Sequence, residues 1–525
     1  PITVSFDAPI DLDALDRRQR DNLDWSDDAV YLIDIQPDSP SFGQPVLLDM
    51  DRGNFPHLLQ PDTQYHPSDP RQDSPALVFE TADEDRDGDG RLDAGEDSDG
   101  DGRLDVPNVH PPGSPVIDGL RTAWERASNT LILRPVVPLR ERTRYAVVLT
   151  DRLVDAAGRP VRSPFAWVHH LAHTQALRRL PAVFARWRAD GVDMALERVA
   201  YAWSFTTQSV TADLVAIREG LYGIGPLGWL AETAPADAVP ALARDPAASA
   251  RPYVFERQLL QDLARTVLIP AVEISQVQGQ ALLADMEHVA HVVQGHFTTP
   301  DLLSDPDSDF IWDWTFDLDA RRGRARVQPG RIPFTLVVPR ATAHHAQPFP
   351  VAVYAHGFGQ ARVEFLAFAN VLAKYGIASA GIDAWGHGVK IGAFERSLIR
   401  SLAEARGYLP FAETFLEGRA RDLDGDGAID AGGDTFSTYA FHTRDVVRQS
   451  IVDLLQLVRV LRGFDGRRSW ALDQDGDGRD DAAGDFDGDG TVDAGGPDRP
   501  YFCWGSSIGG IFATILGALE PAIVL

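Results

Sequence analysis

The sequence predicts an α/β protein in which a doubly wound sheet follows an N-terminal β-sandwich-like domain, and three observations carry this. From residue 326 to 525 buried-strand patterns alternate with helical ones. Residues 1–170 instead hold short strands separated by turn signals. Near residue 505 an apolar run passes through a glycine-flanked serine turn straight into an apolar helix.

In the first domain Ile2 to Phe6, Val30 to Ile35, Thr130 to Leu133 and Tyr145 to Leu149 read as strands, with Ala157-Gly158-Arg159-Pro160 as a turn. A strand beginning at residue 2 without lead-in leads us to expect a domain cut at its N-terminus. Residues 171–325 read as a mixed helical connecting or covering region. Its period lengthens from His173 to about Gly220, interrupted by Tyr201 to Phe205, and 224–300 mix Pro and Ala with modest helical patterns. In the third domain Pro333 to Pro339, Val351 to Tyr354 and Ile377 to Ile382 read as buried strands. Ala361 to Lys374 reads as a helix closed by Gly376. Val447, Ile451, Leu454, Leu455, Val458 and Leu461 mark one face of a long helix. The sheet is expected to be parallel and C-terminally incomplete, because Ile523-Val524-Leu525 reads as the middle of another strand.

With 525 residues, 44% of them hydrophobic, the chain can bury a substantial core. No apolar stretch approaches the roughly 20 residues of a spanning helix, so neither a membrane anchor nor a signal peptide is expected within it. The formal charge of −28 is concentrated: segments 83–105, 422–434 and 473–498 hold 26 acidic residues and four basic ones. The remainder is near balance, and without a basic stripe nucleic acid is excluded as a partner. The single cysteine, Cys503, lies in the apolar run Tyr501 to Trp504 and reads as a small core residue rather than a reactive thiol.

The acidic segments repeat one register. Asp85, Asp87, Asp89, the Arg91 carbonyl, Asp93 and Glu96 occupy the ligand positions of a twelve-residue calcium loop, with Gly90 at the sharp turn. The next twelve residues offer Asp97, Asp99, Asp101, Arg103, Asp105 and Asn108, which makes a tandem pair within 83–108. Three further copies lie in insertions of the third domain: Asp422, Asp424, Asp426 and Asp430; Asp473, Asp475 and Asp477; and Asp485, Asp487, Asp489 and Asp493. Their twelfth positions are Gly433, Gly484 and Gly496, so the bidentate carboxylate is missing or comes from a neighbour such as Asp434 or Asp485. Prolines at 107, 111 and 112 rule out a flanking helix, so these read as open, structural Ca2+ loops. A solvated acidic linker is the plainer alternative.

The chemistry centres on Gly505-Ser506-Ser507-Ile508-Gly509, a G-x-S-x-G turn between strand and helix. That context makes Ser507 a candidate nucleophile, with the Ile508 amide aimed at a developing oxyanion. A glycine-rich turn with a spare serine is the alternative. His356-Gly357-Phe358-Gly359 follows the strand Val351 to Tyr354, and the Phe358 amide, beside Gly357, is the candidate second donor. His356 is read as shaping this loop rather than as base. Asp383 and His387 end the next strand and read as loop-stabilising or substrate-contacting.

With these residues in place, the chain resembles bacterial extracellular lipases of the virulence-factor type, which join an N-terminal β domain to an α/β-hydrolase domain. The resemblance spans nearly the whole chain. It rests on Leu133-Arg134-Pro135 with Pro138-Leu139, Thr143 to Thr150, Trp203 to Gln208, His356-Gly357, Arg444-Asp445 with Arg448-Gln449 and Asp453, and Gly505 to Gly510. It implies ester hydrolysis through an acyl-enzyme on Ser507. The chain departs from the family in one respect: all fourteen histidines precede Ser507, and only Glu520 among carboxylates follows it, whereas the family places acid and histidine afterwards. Little activity is therefore expected of this chain alone, and a C-terminal companion chain would complete the hydrolase sheet.

The leading expectation is a secreted carboxylic-ester hydrolase, extracellular or at the cell surface, acting on an ester or lipid substrate with structural calcium. The rivals are a polyester depolymerase or peptidase on the same fold, and a calcium-stiffened adhesion protein without catalysis.

Overall fold

In the computed structural model the chain divides into two compact units, Pro1–Gln64 with Asp73–Val210, and Tyr65–Gln72 with Thr211–Leu525. The structure describes residues 2–20, 24–51, 66–69, 83–97, 102–240, 255–256, 286–305, 311–437, 439–470, 473 and 477–524.

The first unit holds two antiparallel sheets. One pairs β1 (Ile2–Ser5), β4 (Leu48–Asp49) and β5 (Trp124–Glu125) with β6 (Thr130–Pro135). The other runs β3 (Pro45–Val46), β2 (Val30–Asp34), β7 (Arg144–Thr150) and β8 (Val199–Thr206). Alternation along the strands builds the layers. Leu131 and Leu133 share a core with Val30, Leu32, Val147 and Leu149. The intervening Tyr31, Ile33, Ala146 and Val148 pack instead against Val183, Phe184 and Trp187 of helix α1 (Leu180–Ala189). Covered on both faces, β2 is buried at every residue.

The second unit is built on a seven-stranded sheet. Its order is β10 (Phe255–Glu256), β11 (Val289–Asp301), β16 (Gln328–Pro339), β18 (Ala378–Ile382), β17 (Val351–Ala355) and β19 (Tyr501–Gly505), with β9 (Ala238–Pro240) also pairing β11. Two small ribbons, β12 (Leu303–Ser304) with β13 (Thr315–Phe316) and β14 (Leu318–Asp319) with β15 (Arg324–Ala325), lie between β11 and β16. Helices α2 (Ala212–Leu221), α6 (Ala440–Arg462) and α7 (Ile508–Leu519) cover one face, meeting Leu336, Val338, Val351 and Val353. Helices α3 (Leu366–Lys374), α4 (Ala393–Glu404) and α5 (Leu409–Leu416) cover the other, meeting Val292, Val337 and Tyr354.

One expectation is corrected. The sheet is mixed: β17 runs parallel to β18 and β19, but β16 is antiparallel to both β11 and β18. A parallel pair needs a crossover, usually helical, and the described part of the β11 to β16 connection has only ribbons and 3-10 turns. The described residues of 171–325 are shared between the two units. β8 completes a sheet of the first unit, and the thirteen-residue β11 belongs to the sheet of the second. Polar His291, Gln294 and His296 are buried in β11 and break the apolar pattern that would have revealed it.

Helix α6 is less simply amphipathic than its apolar face implied, because Asp445, Gln449, Asp453 and Gln456 are also buried. Each ties down backbone or side chains nearby. Asp445 accepts from the Phe316 amide (2.9 Å), Gln449 from the Leu302 amide (2.9 Å), and Asp453 from Thr299 Oγ1 (2.8 Å) while pairing with Arg419. Among the described residues no helix is long and apolar enough to cross a membrane.

Candidate active site

Ser507 sits between β19 and α7 with φ 52° and ψ −124°, a conformation that non-glycine residues rarely hold and that costs about 1–3 kcal/mol. The neighbouring glycines enforce it. A β-carbon on Gly505 would overlap the Gly509 backbone, and one on Gly509 would overlap the carbonyls of Ala355 and His356, inside the 3.0 Å that real β-carbons keep. The turn closes through Gly509 N to Ser506 O (2.8 Å) and Gly510 N to Ser507 O (2.9 Å). Ser507 is exposed, and Ile508, buried, opens the twelve-residue helix α7. The first amides of a helix lack intrahelical acceptors and carry its positive end, which suits them to a developing oxyanion.

The sheet places this turn at a topological switch point. The chain leaves β17 through α3 for β18 on one side, while β19 flanks β17 on the other. Such a divergence opens a crevice at the carboxyl ends of the strands. There the loop after β17 meets the serine turn, since a β-carbon on Gly357 would lie 3.2 Å from Ser506 Oγ.

His356 is buried and commits both ring nitrogens. Nε2 accepts from the Ala384 amide (2.9 Å), which leaves the proton on Nδ1 to donate to Gly357 O (2.8 Å). Burial holds its pKa below the usual histidine range. His356 therefore latches the loop after β17 to the loop after β18. The Gly357 amide is spent on Gln360 Oε1 (3.0 Å), while Phe358 stands at the tip of the turn with 45% of its surface exposed.

Asp383 is wholly buried, accepts from the Arg362 amide (2.6 Å) and pairs with the Arg362 guanidinium. Arg362 also donates to Thr414 O (2.8 Å) and Glu417 O (2.7 Å), so the pair braces the wall behind the loops. His387 bonds the Trp385 carbonyl through Nδ1 (2.7 Å), and burial lowers its pKa to about 4. Its Nε2 is buried without a hydrogen-bond partner, beneath Phe358 (ring centroids 5.8 Å apart). Phe358 in turn packs on half-exposed Phe436 (5.1 Å), forming an apolar shelf by the serine turn.

Sequence reasoning missed Phe436 and the Tyr354 hydroxyl. That hydroxyl donates to Glu364 Oε2 (3.1 Å). The available signal was a tyrosine near the end of a buried strand. Cys503 is half-buried, its Sγ 3.3 Å from Ala513 O, and burial raises its pKa.

The described residues of the acidic loops share one hydrogen bond. In all five the first aspartate accepts from the sixth-position glycine amide: Asp85 from Gly90 (3.1 Å), Asp97 from Gly102 (3.1 Å), Asp422 from Gly427 (2.9 Å), Asp473 from Gly478 (3.0 Å) and Asp485 from Gly490 (2.8 Å). Asp89, Asp426, Asp477 and Asp489 likewise accept from the amides of Arg91, Ala428, Arg479 and Thr491. In the first loop Asp85, Asp87 and Glu96 converge within 4.8 Å, as do Asp87, Asp89 and Asp93, and so do Asp422, Asp424 and Asp426 in the third. Asp85 Oδ1 is buried without a hydrogen-bond partner, so this all-oxygen set fits a calcium ion.

Glu96 accepts from the second-position amide of Arg86 (3.0 Å); where glycine holds the twelfth place, the ninth-position Asp430 and Asp493 accept from Leu423 and Phe486 (2.8 Å each). Asp434, the expected substitute, pairs instead with Arg421 (3.0 Å). In the second loop the Asp105 amide donates to Glu84 (3.0 Å), and the Asn108 amide group is spent on the Arg121 and Trp124 carbonyls. Arg103 is described, whereas Asp99, Asp101 and Asp475 lie outside the described residues.

Neither a protein-family model nor a curated protein matches the sequence. Among solved structures the chain is similar to one described as the PEG-bound complex of a novel cold-adapted esterase from an Arctic intertidal metagenomic library. The identity is 15% and the TM-score 0.21, over 44% of this chain and 58% of that one, so the chain spans little over half of that esterase's length.

Proposed function

We propose that the second unit is an α/β-hydrolase-type serine esterase or lipase that forms an acyl-enzyme on Ser507, and that the first is a β-sandwich-like companion domain. The strained, exposed Ser507 at the strand-to-helix turn carries the reading. Ser507 attacks the ester carbonyl; the Ile508 amide, with Phe358 N–H as second donor, holds the oxyanion; the alcohol departs and water releases the acid. The Phe358 and Phe436 shelf favours an apolar acyl group. His356 has no nitrogen to spare, and His387 is enclosed beneath Phe358 with its pKa lowered to about 4, too weak and too enclosed a base to serve Ser507, so we assign the general base and its acid to residues other than these two. The acidic loops hold structural Ca2+, and sites of this kind fill at the millimolar calcium found outside cells, which favours an extracellular or surface setting.

The test is labelling of the full-length protein with a fluorophosphonate, read by peptide mass. An adduct on Ser507, absent in Ser507→Ala, is expected. A calcium-replete, folded protein that takes no label would leave the adhesion reading.

A further inference from the structure

The fifth acidic loop, 485–496, lacks a twelfth-position carboxylate, but a histidine from outside reaches it. His291 of β11 converges with Asp487 and Asp493, one ligand atom of each lying within 4.8 Å of the others. His291 is 4% exposed, and its Nε2 has no hydrogen-bond partner. It stops 3.6 Å from Asp493 Oδ2, too far for a hydrogen bond. Two ligands bound tetrahedrally at about 2.1 Å from one ion stand roughly 3.4 Å apart, close to this spacing. Asp493 is held in place by Gln347 Nε2 on Oδ1 (2.6 Å) and the Phe486 amide on Oδ2 (2.8 Å), the kind of outer support that metal-binding carboxylates have.

The third loop provides the contrast. His66 stands in the same relation to Asp424 and Asp430, at 3.6 Å from Asp430 Oδ1. Its Nδ1, however, accepts from the Ser68 amide (3.1 Å), which puts the proton on Nε2 and makes that nitrogen a donor rather than a ligand. No amide donates to His291 Nδ1 in this way, so nothing commits its unpartnered Nε2 to carry the proton.

We propose that the fifth loop is a mixed nitrogen and oxygen metal site, ligated by His291, Asp487 and Asp493, that takes a zinc-class ion in preference to calcium. Imidazole suits zinc, whereas calcium selects oxygen donors alone. The site clamps β11 to two other segments. Gln347 lies on the approach to β17, and the loop runs into β19 after pairing at Phe349 with Ala494. These are the amino ends of β17 and β19, the edge away from Ser507, so the ion is structural. The proposal refines the metal reading of one loop and is independent of the hydrolase reading.

The experiment strips the full chain with chelator, restores millimolar Ca2+ to fill the all-oxygen loops, and titrates Co2+ as a coloured stand-in for Zn2+. One equivalent of Co2+ should bind with a ligand-field absorption band, be displaced by one equivalent of Zn2+, and raise the unfolding temperature. His291→Gln should abolish the band and His66→Gln should keep it. Asp487→Asn, at a partly exposed position, should also abolish it and serves if His291→Gln does not fold. A band that survives both His291→Gln and Asp487→Asn, that vanishes in His66→Gln, or that millimolar Ca2+ bleaches would overturn the proposal. Calcium binding at the first loop is read separately by calorimetry on Glu96→Gln, so failure of the calcium reading is seen independently.

Discussion

Gly509 faces the carbonyl oxygen of Ala355 with no room for a side chain between them. This contact presses the start of α7 onto the end of β17 and holds Ser507 in its strained turn. Gly509→Ala must push helix from strand, and overpacking of this kind costs about 2–3 kcal/mol. Urea denaturation should show that loss, with Ser507 labelling in the full-length protein falling at least about tenfold.

Ser507 itself should be a stability liability. Its φ of 52° is one that glycine adopts readily. Ser507→Gly should therefore stabilise the fold by about 1 kcal/mol relative to Ser507→Ala, which keeps the strain, while both abolish labelling. Equal unfolding midpoints for the two variants would show that the strain is not released at this residue.

Strand and helix positions near Ser507 were legible because local chemistry fixes them: only glycine fits at 505 and 509, β17 and β19 are continuous apolar runs, and β18 is apolar but for Ser379. Strand direction was not, since apolar runs carry no sign of whether a neighbour runs parallel. β11 was hidden because burial on both faces let it keep His291, Gln294 and His296, each with a partner or purpose supplied by distant residues, as with Thr335 on Gln294 (2.9 Å). The acceptor contact of His356 at Ala384, 28 residues away, is visible only in three dimensions.

Arg362 and Asp383 form an ion pair in which neither side chain is exposed. Breaking one side leaves an uncompensated buried charge, so Asp383→Asn should destabilise by about 3–5 kcal/mol. Arg362→Met should cost a similar amount, and the double variant much less than the sum. Denaturation midpoints of the four proteins give the coupling directly; additive losses would mean that the two side chains act separately.

Asp301 should make stability fall as pH rises through a defined window. Burial first, and Asp453 second, raise its pKa from 3.8 to about 6. The folded state then binds more protons than the unfolded state between pH 4 and 6, so this group's contribution declines as pH rises from 4 to 6 and stays low above. Asp301→Asn removes the titration and should raise stability at pH 7 by on the order of 1–3 kcal/mol, with little gain at pH 4. Thermal unfolding at both pH values tests this; a gain equal at pH 4 and pH 7 would rule Asp301 out as the source.

Calcium removal should act through Glu96. Its buried carboxylate accepts from the amides of Arg86 and Asp93 (3.0 Å each) and closes the first loop over Asp85 and Asp87. A site filled at ten times its Kd stabilises the fold by about 1.4 kcal/mol. EGTA should lower the unfolding temperature of the parent protein, and Glu96→Gln should shrink that response by weakening the ligand. Emptied loops leave clustered aspartates repelling one another, so 0.5 M NaCl should restore part of the loss by screening without restoring calcium binding. Calorimetric calcium titration of parent and Glu96→Gln separates the two effects: salt rescue with no change in binding between them would assign the whole response to charge repulsion and none to the loop.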